Sequence, residues 1–149
     1  NSAGINDAAA AVLVMSEAHA EAEGLKPRLR WVGRGVAGVD PAYMGIGPVP
    51  AVKKVLDRTK LSLDDMDIIE LNEAFAAQAL AVIRELGMDI ERTNVSGSGI
   101  SLGHPVGATG AIMTVKLMEE LTRMNGQYGM VTMCVGGGQG AATVFERLN

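Results

Sequence analysis

Ten of the nineteen glycines in this 149-residue chain fall in two stretches, 97–110 and 129–140. Glycine lacks the Cβ that blocks sharp turns and close approach, so the backbone is expected to turn and meet other groups there. The first stretch runs Asn94-Val-Ser-Gly-Ser-Gly-Ile-Ser-Leu-Gly-His104-Pro-Val-Gly-Ala-Thr-Gly110. It sets one of two histidines between glycine and proline, then opens an apolar helical run. The second joins the strand-like run Tyr128–Val135, through Cys134-Val-Gly-Gly-Gly-Gln-Gly140, to a final strand-like run, Ala141–Phe145. Helical runs separate the earlier strands, whereas the last two follow each other directly. This pattern predicts an α/β fold in which a mixed β-sheet is layered with α-helices.

Taken in order, Asp7–Met15 is an apolar run with neither helical nor alternating period. Its length and Val-Leu-Val centre favour a buried strand. Ser16 starts a short helix over Glu17–Glu23, with Gly24 and Pro27 as stops. His19 on that helix reads as an ordinary surface residue. Arg28–Val39 is a strand interrupted by glycines, and Gly33-Arg-Gly35-Val-Ala-Gly38 formally matches a dinucleotide fingerprint. That fingerprint must open a helix, but Val39-Asp-Pro follows here, so a bulged strand is the better reading. A stiff loop, Met44–Pro50, leads into a helix over Ala51–Lys60, and Ser62–Asp65 is a capped turn. Asp67–Leu71 is a strand ending at Asn72-Glu73. Ala74–Leu86 is apolar nearly all round, as in a buried helix, and stops at Gly87. The helix from Pro105 to Arg123 carries Ile112, Val115, Met118 and Leu121 on one face. It pairs Lys116 with Glu120 and Glu119 with Arg123 on the other.

Composition narrows the function classes. The net charge of −4, without a Lys/Arg cluster, argues against nucleic acid and a polybasic membrane surface. Apolar runs are too short to span a bilayer. One cysteine and two histidines cannot build a four-ligand zinc site, so no metal is expected. A single cysteine also excludes an internal disulfide, which fits a reducing, cytoplasmic setting. The start, Asn1-Ser-Ala-Gly, shows neither methionine nor targeting pattern, as expected of part of a longer protein.

Three groups carry chemistry. Cys134 closes a strand before a glycine-rich turn, where backbone N–H donors would favour a thiolate, and His104 could share its proton. Equally, Cys134 reads as a small buried hydrophobe, since 30 residues separate the two and nothing in the spacing forces contact. Asn72, at a strand-to-helix junction, reads either as an N-cap or as an amide aimed into the cleft of His104.

Asn72-Glu-Ala-Phe-Ala-Ala, Gly103-His-Pro-Val-Gly-Ala-Thr-Gly110 and Cys134-Val-Gly-Gly-Gly-Gln-Gly140 together resemble the C-terminal half of thiolases, in the family's order. Asn1–Asp7 and Met44–Pro50 add to the likeness, which covers essentially residues 1–149 as one thiolase-like C-terminal domain. The wording is closest to bacterial β-ketothiolases, or acetyl-CoA acetyltransferases. The resemblance implies reversible Claisen condensation of acetyl-CoA with acyl-CoA to a 3-ketoacyl-CoA such as acetoacetyl-CoA. Coenzyme A thioesters would be substrates, with no separate cofactor, and the complete enzyme a homo-oligomer in fatty acid metabolism. It also implies residue roles. Cys134 matches the acid/base cysteine at the α-carbon. His104 matches the residue that activates the nucleophilic cysteine and donates to a thioester oxygen. Asn72 matches the residue holding a water in the same oxyanion hole, and the Gly136 N–H serves a second hole. Met44 would line the acyl pocket, and Ala74 and Phe75 the pantetheine arm.

Two departures stand out. The family's nucleophilic cysteine lies in an N-terminal half absent here, so this chain alone is expected to be inactive. Ala3 replaces a serine that often bonds the CoA arm. Two alternatives are a self-contained Cys–His thioester hydrolase using Cys134 and a non-catalytic thiolase-like binding module. Finally, Gly97-Ser-Gly99 is no phosphate cradle, because Leu102 stands where the third glycine would be.

Overall fold

Adjacency of the last two apolar runs produces a hairpin. In the computed structural model, which describes residues 1–148, β3 (Tyr128–Val135) turns into β4 (Gln139–Arg147), antiparallel to it. β1 (Leu29–Gly38) pairs antiparallel with the far edge of β4. β2 (Ile68–Leu71) joins β3 in parallel, giving a mixed sheet in the order β1-β4-β3-β2. The parallel pair requires a crossover. α3 (Ala76–Leu86), the single turn α4 (Gly99–Leu102) and α5 (Thr109–Met124) lie between its two strands in sequence. α1 (Glu17–Ala22), capped by Ser16 as expected, and α2 (Pro48–Thr59) complete the α-helices among the described residues.

Alternation along β2 and β3 sends side chains into two cores. Ile69, Leu71 and Met130 join Val49, Val52 and Val55 of α2 and Ala79 and Val82 of α3 on one face. Ile68 and Val131 meet Met113, Leu117 and Leu121 of α5 on the other. The fingerprint-like glycines belong to a bulged strand, as expected: register slips between Trp31 and Gly33, and Gly35 lets α2 lie on β1. A Cβ at Gly35 would overlap the Ala51 carbonyl. Gly47 and Gly140 similarly face each other so closely that either Cβ would meet backbone.

Several expectations fail. The buried strand over 7–15 is irregular backbone with Leu13 and Val14 more than 80% exposed. An apolar run does not specify which surface covers it, and none among the described residues does. α3 buries one face only, leaving Phe75 and Leu80 exposed. α2 begins at Pro48 rather than Ala51, since proline suits a first helical position. α5 begins at Thr109, because Pro105–Ala108 forms a turn in which Ala108 and Thr109 both donate to the Pro105 carbonyl. Its buried stripe is Met113, Leu117 and Leu121, at i,i+4 spacing; of the expected face only Leu121 belongs to it. Lys116 pairs with Glu70 on β2, Arg123 with Glu120, and Glu119 with Arg28, so the expected i,i+4 pairs give way to tertiary partners and an i,i+3 pair.

Candidate active site

The parallel strands end side by side, and Asn72 N–H extends the ladder to the Thr132 carbonyl at 3.0 Å. On its other side β2 lacks a full strand neighbour, and the segment after α3 supplies a substitute. Asn94 N–H donates to the Ile69 carbonyl at 2.9 Å, while its Oδ1 accepts from Leu71 N–H at 2.8 Å. The Ser98 hydroxyl donates to the Leu71 carbonyl at 2.9 Å. Asn94 does this from a left-handed conformation (φ 54°), which asparagine tolerates better than most residues. Glu73 accepts from the Asn94 amide and from Ile100 N–H, each at 3.4 Å. Sequence reading missed Asn94 and Ser98, although a Thr-Asn-Val-Ser-Gly-Ser loop is the kind of signal that side-chain-to-backbone bonding leaves.

This frame holds Asn72 fully buried. Asn72 is not a helix cap: α3 starts after Phe75, with no side-chain cap bond. Its amide Nδ2 instead lies 3.4 Å from His104 Nε2. The structure therefore joins two of the three predicted chemical groups. Asn72 Oδ1 has no hydrogen-bond partner among the described residues.

His104 is fixed at both ends. Its backbone N–H donates to Asn6 Oδ1 at 3.0 Å, and its ring Nδ1 lies 2.7 Å from the Thr109 hydroxyl, which donates to the Pro105 carbonyl at 2.9 Å. Gly103 has φ +99°, and a Cβ there would run into the Asn6 side chain, so both conformation and space demand glycine. Neither Asn6 nor Thr109 was singled out from sequence. Both are common polar residues whose partners lie on other turns of chain.

Cys134 sits near the end of β3, two residues beyond Thr132 and opposite Gly140. It is 7% exposed, and no hydrogen bond joins it to His104 or Asn72 among the described residues. Burial pushes its thiol above the usual range, outweighing the opposing pull of its own backbone N–H. The expected thiolate-favouring environment is therefore absent: desolvation disfavours the charged sulfur more than the nearby amide supports it. Gly136 lies in the exposed turn, where a Cβ would meet nothing, so packing does not explain that glycine.

The remaining predicted residues fall into two places. Ala3 N–H donates to the Ala74 carbonyl at 3.0 Å, and Ser2 bridges to Phe75, so the N-terminal residues run antiparallel to 74–76. Ala3, Ala74 and Phe75 are thus neighbours, with Phe75 exposed. Met44 is half-buried in the helical turn Pro41–Ile46, apart from that strip in sequence and packed through its segment toward α3. No group of three or more metal-ligating side chains occurs among the described residues.

Residues 25–147 match the family profile described as thiolase, C-terminal domain. The chain belongs to the thiolase family. It is 61% identical over 148 residues to the beta-ketothiolase BktB of Cupriavidus necator, covering 99% of this chain and 38% of that protein. It is 52% identical over 149 residues to the acetyl-CoA acetyltransferase of Escherichia coli, again covering 38% of the relative. Among solved structures, Bacillus anthracis acetyl-CoA acetyltransferase superposes with a TM-score of 0.88 at 54% identity, over 90% of this chain and 34% of that one. Human mitochondrial 3-ketoacyl-CoA thiolase in complex with CoA also gives 0.88, at 48% identity, over 89% of this chain and 34% of the other. The thiolase-like fold expected from the three motifs is therefore present, and the chain spans little more than a third of these relatives' length.

Proposed function

We propose that this chain is the C-terminal part of an acyl-CoA C-acyltransferase that condenses acetyl-CoA with an acyl group, or cleaves the 3-ketoacyl-CoA product. The observation that carries this reading is the Asn72–His104 pair at the end of two parallel strands. Donors held rigidly where enolate or thioester oxygen charge develops lower the barrier without reorganising during the reaction. In the condensing direction, Cys134 as its thiolate removes the α-proton of acetyl-CoA, and the enolate oxygen is held by His104, which carries on Nε2 the proton taken from the nucleophilic cysteine, and by a water on Asn72. The new carbon–carbon bond forms as the acyl group leaves the nucleophilic cysteine of the remaining part of the enzyme. A thiol raised by burial is a poor base until substrate or the other half alters its surroundings, so reactivity belongs to the assembled enzyme. The Gly136 N–H serves the acyl-enzyme carbonyl, Met44 lines the acyl pocket, and the strip of Ala3, Ala74 and Phe75 lies along the pantetheine arm. Ala3 offers no hydroxyl to that arm, a loss of about 1 kcal/mol.

Two surfaces support a longer enzyme. A groove of about 460 Å³ on the sheet face beside α5 is lined by Trp31, Val36, Met133 and Thr143, with Trp31 exposed. The apolar segment 8–14 is exposed as well. We take both to be covered by the N-terminal half, in a cytoplasmic oligomer serving fatty acid metabolism. No helix among the described residues is long and apolar enough to cross a membrane. A self-contained hydrolase is disfavoured by the lack of a Cys134–His104 bond.

The test is thiolysis of acetoacetyl-CoA by the complete enzyme with Cys134→Ala or His104→Ala, beside the isolated 149 residues. Both variants should lose at least about 100-fold in kcat, and the isolated chain should be inactive. Variants with unaltered turnover would leave a binding module as the better reading.

A further inference from the structure

We infer that Thr109 is a positioning residue that fixes His104 as the tautomer protonated on Nδ1, leaving Nε2 as the acceptor facing Asn72. The inference rests on the proposed role of His104, but the tautomer itself is a property of this chain.

A neutral imidazole has one N–H and one bare nitrogen, and each neighbour must match one of them. The Thr109 hydroxyl has a single proton. A carbonyl can only accept, and the 2.9 Å contact lets the hydroxyl give that proton to the Pro105 oxygen. The hydroxyl oxygen then meets Nδ1, 2.7 Å away, through a lone pair, which places the ring proton on Nδ1. At the opposite corner Nε2 faces the Asn72 amide nitrogen, a donor, at 3.4 Å. Two contacts on different elements thus specify the same form. Thr109 is 3% exposed, so water does not compete for its hydroxyl. As the first residue of α5 it is anchored by its own backbone bond to Pro105 as well. The consequence is chemical: Nε2 is kept ready to take a proton and return it on the side of Asn72, and the ring cannot rotate without losing the Thr109 bond.

The experiment is a long-range ¹H–¹⁵N spectrum of ¹⁵N-histidine-labelled protein in alkaline buffer. Only two histidines contribute, and His19→Gln assigns them. The expected result is a pyrrole-type Nδ1 and a pyridine-type Nε2 for His104. Thr109→Val, which keeps the shape but removes the acceptor, should shift the ring toward the Nε2-protonated form that a free histidine side chain prefers; Thr109→Ser should restore the original pattern. In the complete enzyme, Thr109→Val should lower kcat about tenfold, or about 1.4 kcal/mol, with KM little changed, and Thr109→Ser should recover it. An Nε2-protonated His104 in the unaltered protein would overturn the inference, since Asn72 would then have to present Oδ1 to the ring. So would a Thr109→Val spectrum identical to the original. A spectrum as expected beside an inactive complete enzyme would sink the proposed function and leave the tautomer assignment standing.

Discussion

Replacing Lys116 by methionine tests how α5 is tied to β2, the strand that leads to Asn72. Lys116 Nζ donates to Glu70 Oε2 at 2.8 Å and to the Gly97 carbonyl, and Glu70 is fully buried. Burial already pushes the Glu70 carboxyl above its ordinary range, against the lowering effect of Lys116, and Oε1 has no partner among the described residues. Removing the ammonium leaves a bare buried carboxylate, a change that typically costs about 3–5 kcal/mol. Protonation caps that cost. From an ordinary value of 4.5, holding the proton at pH 7 takes 2.5 pH units at about 1.36 kcal/mol each, or about 3.4 kcal/mol. The unaltered Glu70 is already raised and bears part of this cost, so Lys116→Met should lose up to about 3 kcal/mol at pH 7.

The sign of the pH dependence follows from the same shift. A folded-state value raised above the unfolded one gives stability that is complete at low pH and lost as pH rises from about 4.5 through the folded value. In the variant that window extends toward neutrality, so lowering the pH from 7 to 5 should recover up to about 2.7 kcal/mol relative to the unaltered protein. Adding Glu70→Gln should recover much of it at pH 7. Urea unfolding at the two pH values, with an unchanged m-value, reads both quantities. A loss under about 0.5 kcal/mol, or one independent of pH, would mean the pair behaves as an exposed ion pair and would refute the reasoning.

Cys134 should alkylate far more slowly than a free thiol at neutral pH, and the rate should climb only above the ordinary thiol range, because its folded value is raised by burial. Its linkage is destabilising in alkali, since the unfolded thiol ionises first; iodoacetamide labelling as fast as that of a model peptide at pH 7.5 would contradict the assignment. Gly140→Ala places a methyl against the Gly47 carbonyl and should cost about 3 kcal/mol or more, whereas Gly136→Ala enters open space and should change stability by less than about 0.5 kcal/mol. Thermal unfolding of the two variants ranks them, and equal melting temperatures would show that the close approach relaxes at no cost.

What the sequence determined by itself was local or repeated in kind. The extent of β3, the Ser16 and Ser62 caps and the stop at Gly87 each follow from residues within a few positions of one another. The mixed sheet followed from the order of elements, and three motifs, two of them glycine-rich, carried the family. Only the tertiary structure decided which side of an apolar segment is covered, as the exposed run over 7–15, the half-exposed α3 and the shifted stripe of α5 illustrate. It also decided the partners of polar groups. Lys116 prefers a buried carboxylate 46 residues away to its helix neighbour, and His104 takes its orientation from Asn6, Asn72 and Thr109. A pattern encodes the period of a surface, whereas burial and hydrogen bonding depend on what the fold brings against it. Cys134 shows the same division: its type and neighbours pointed to a stabilised thiolate, and the depth at which the sheet buries it raised the thiol instead.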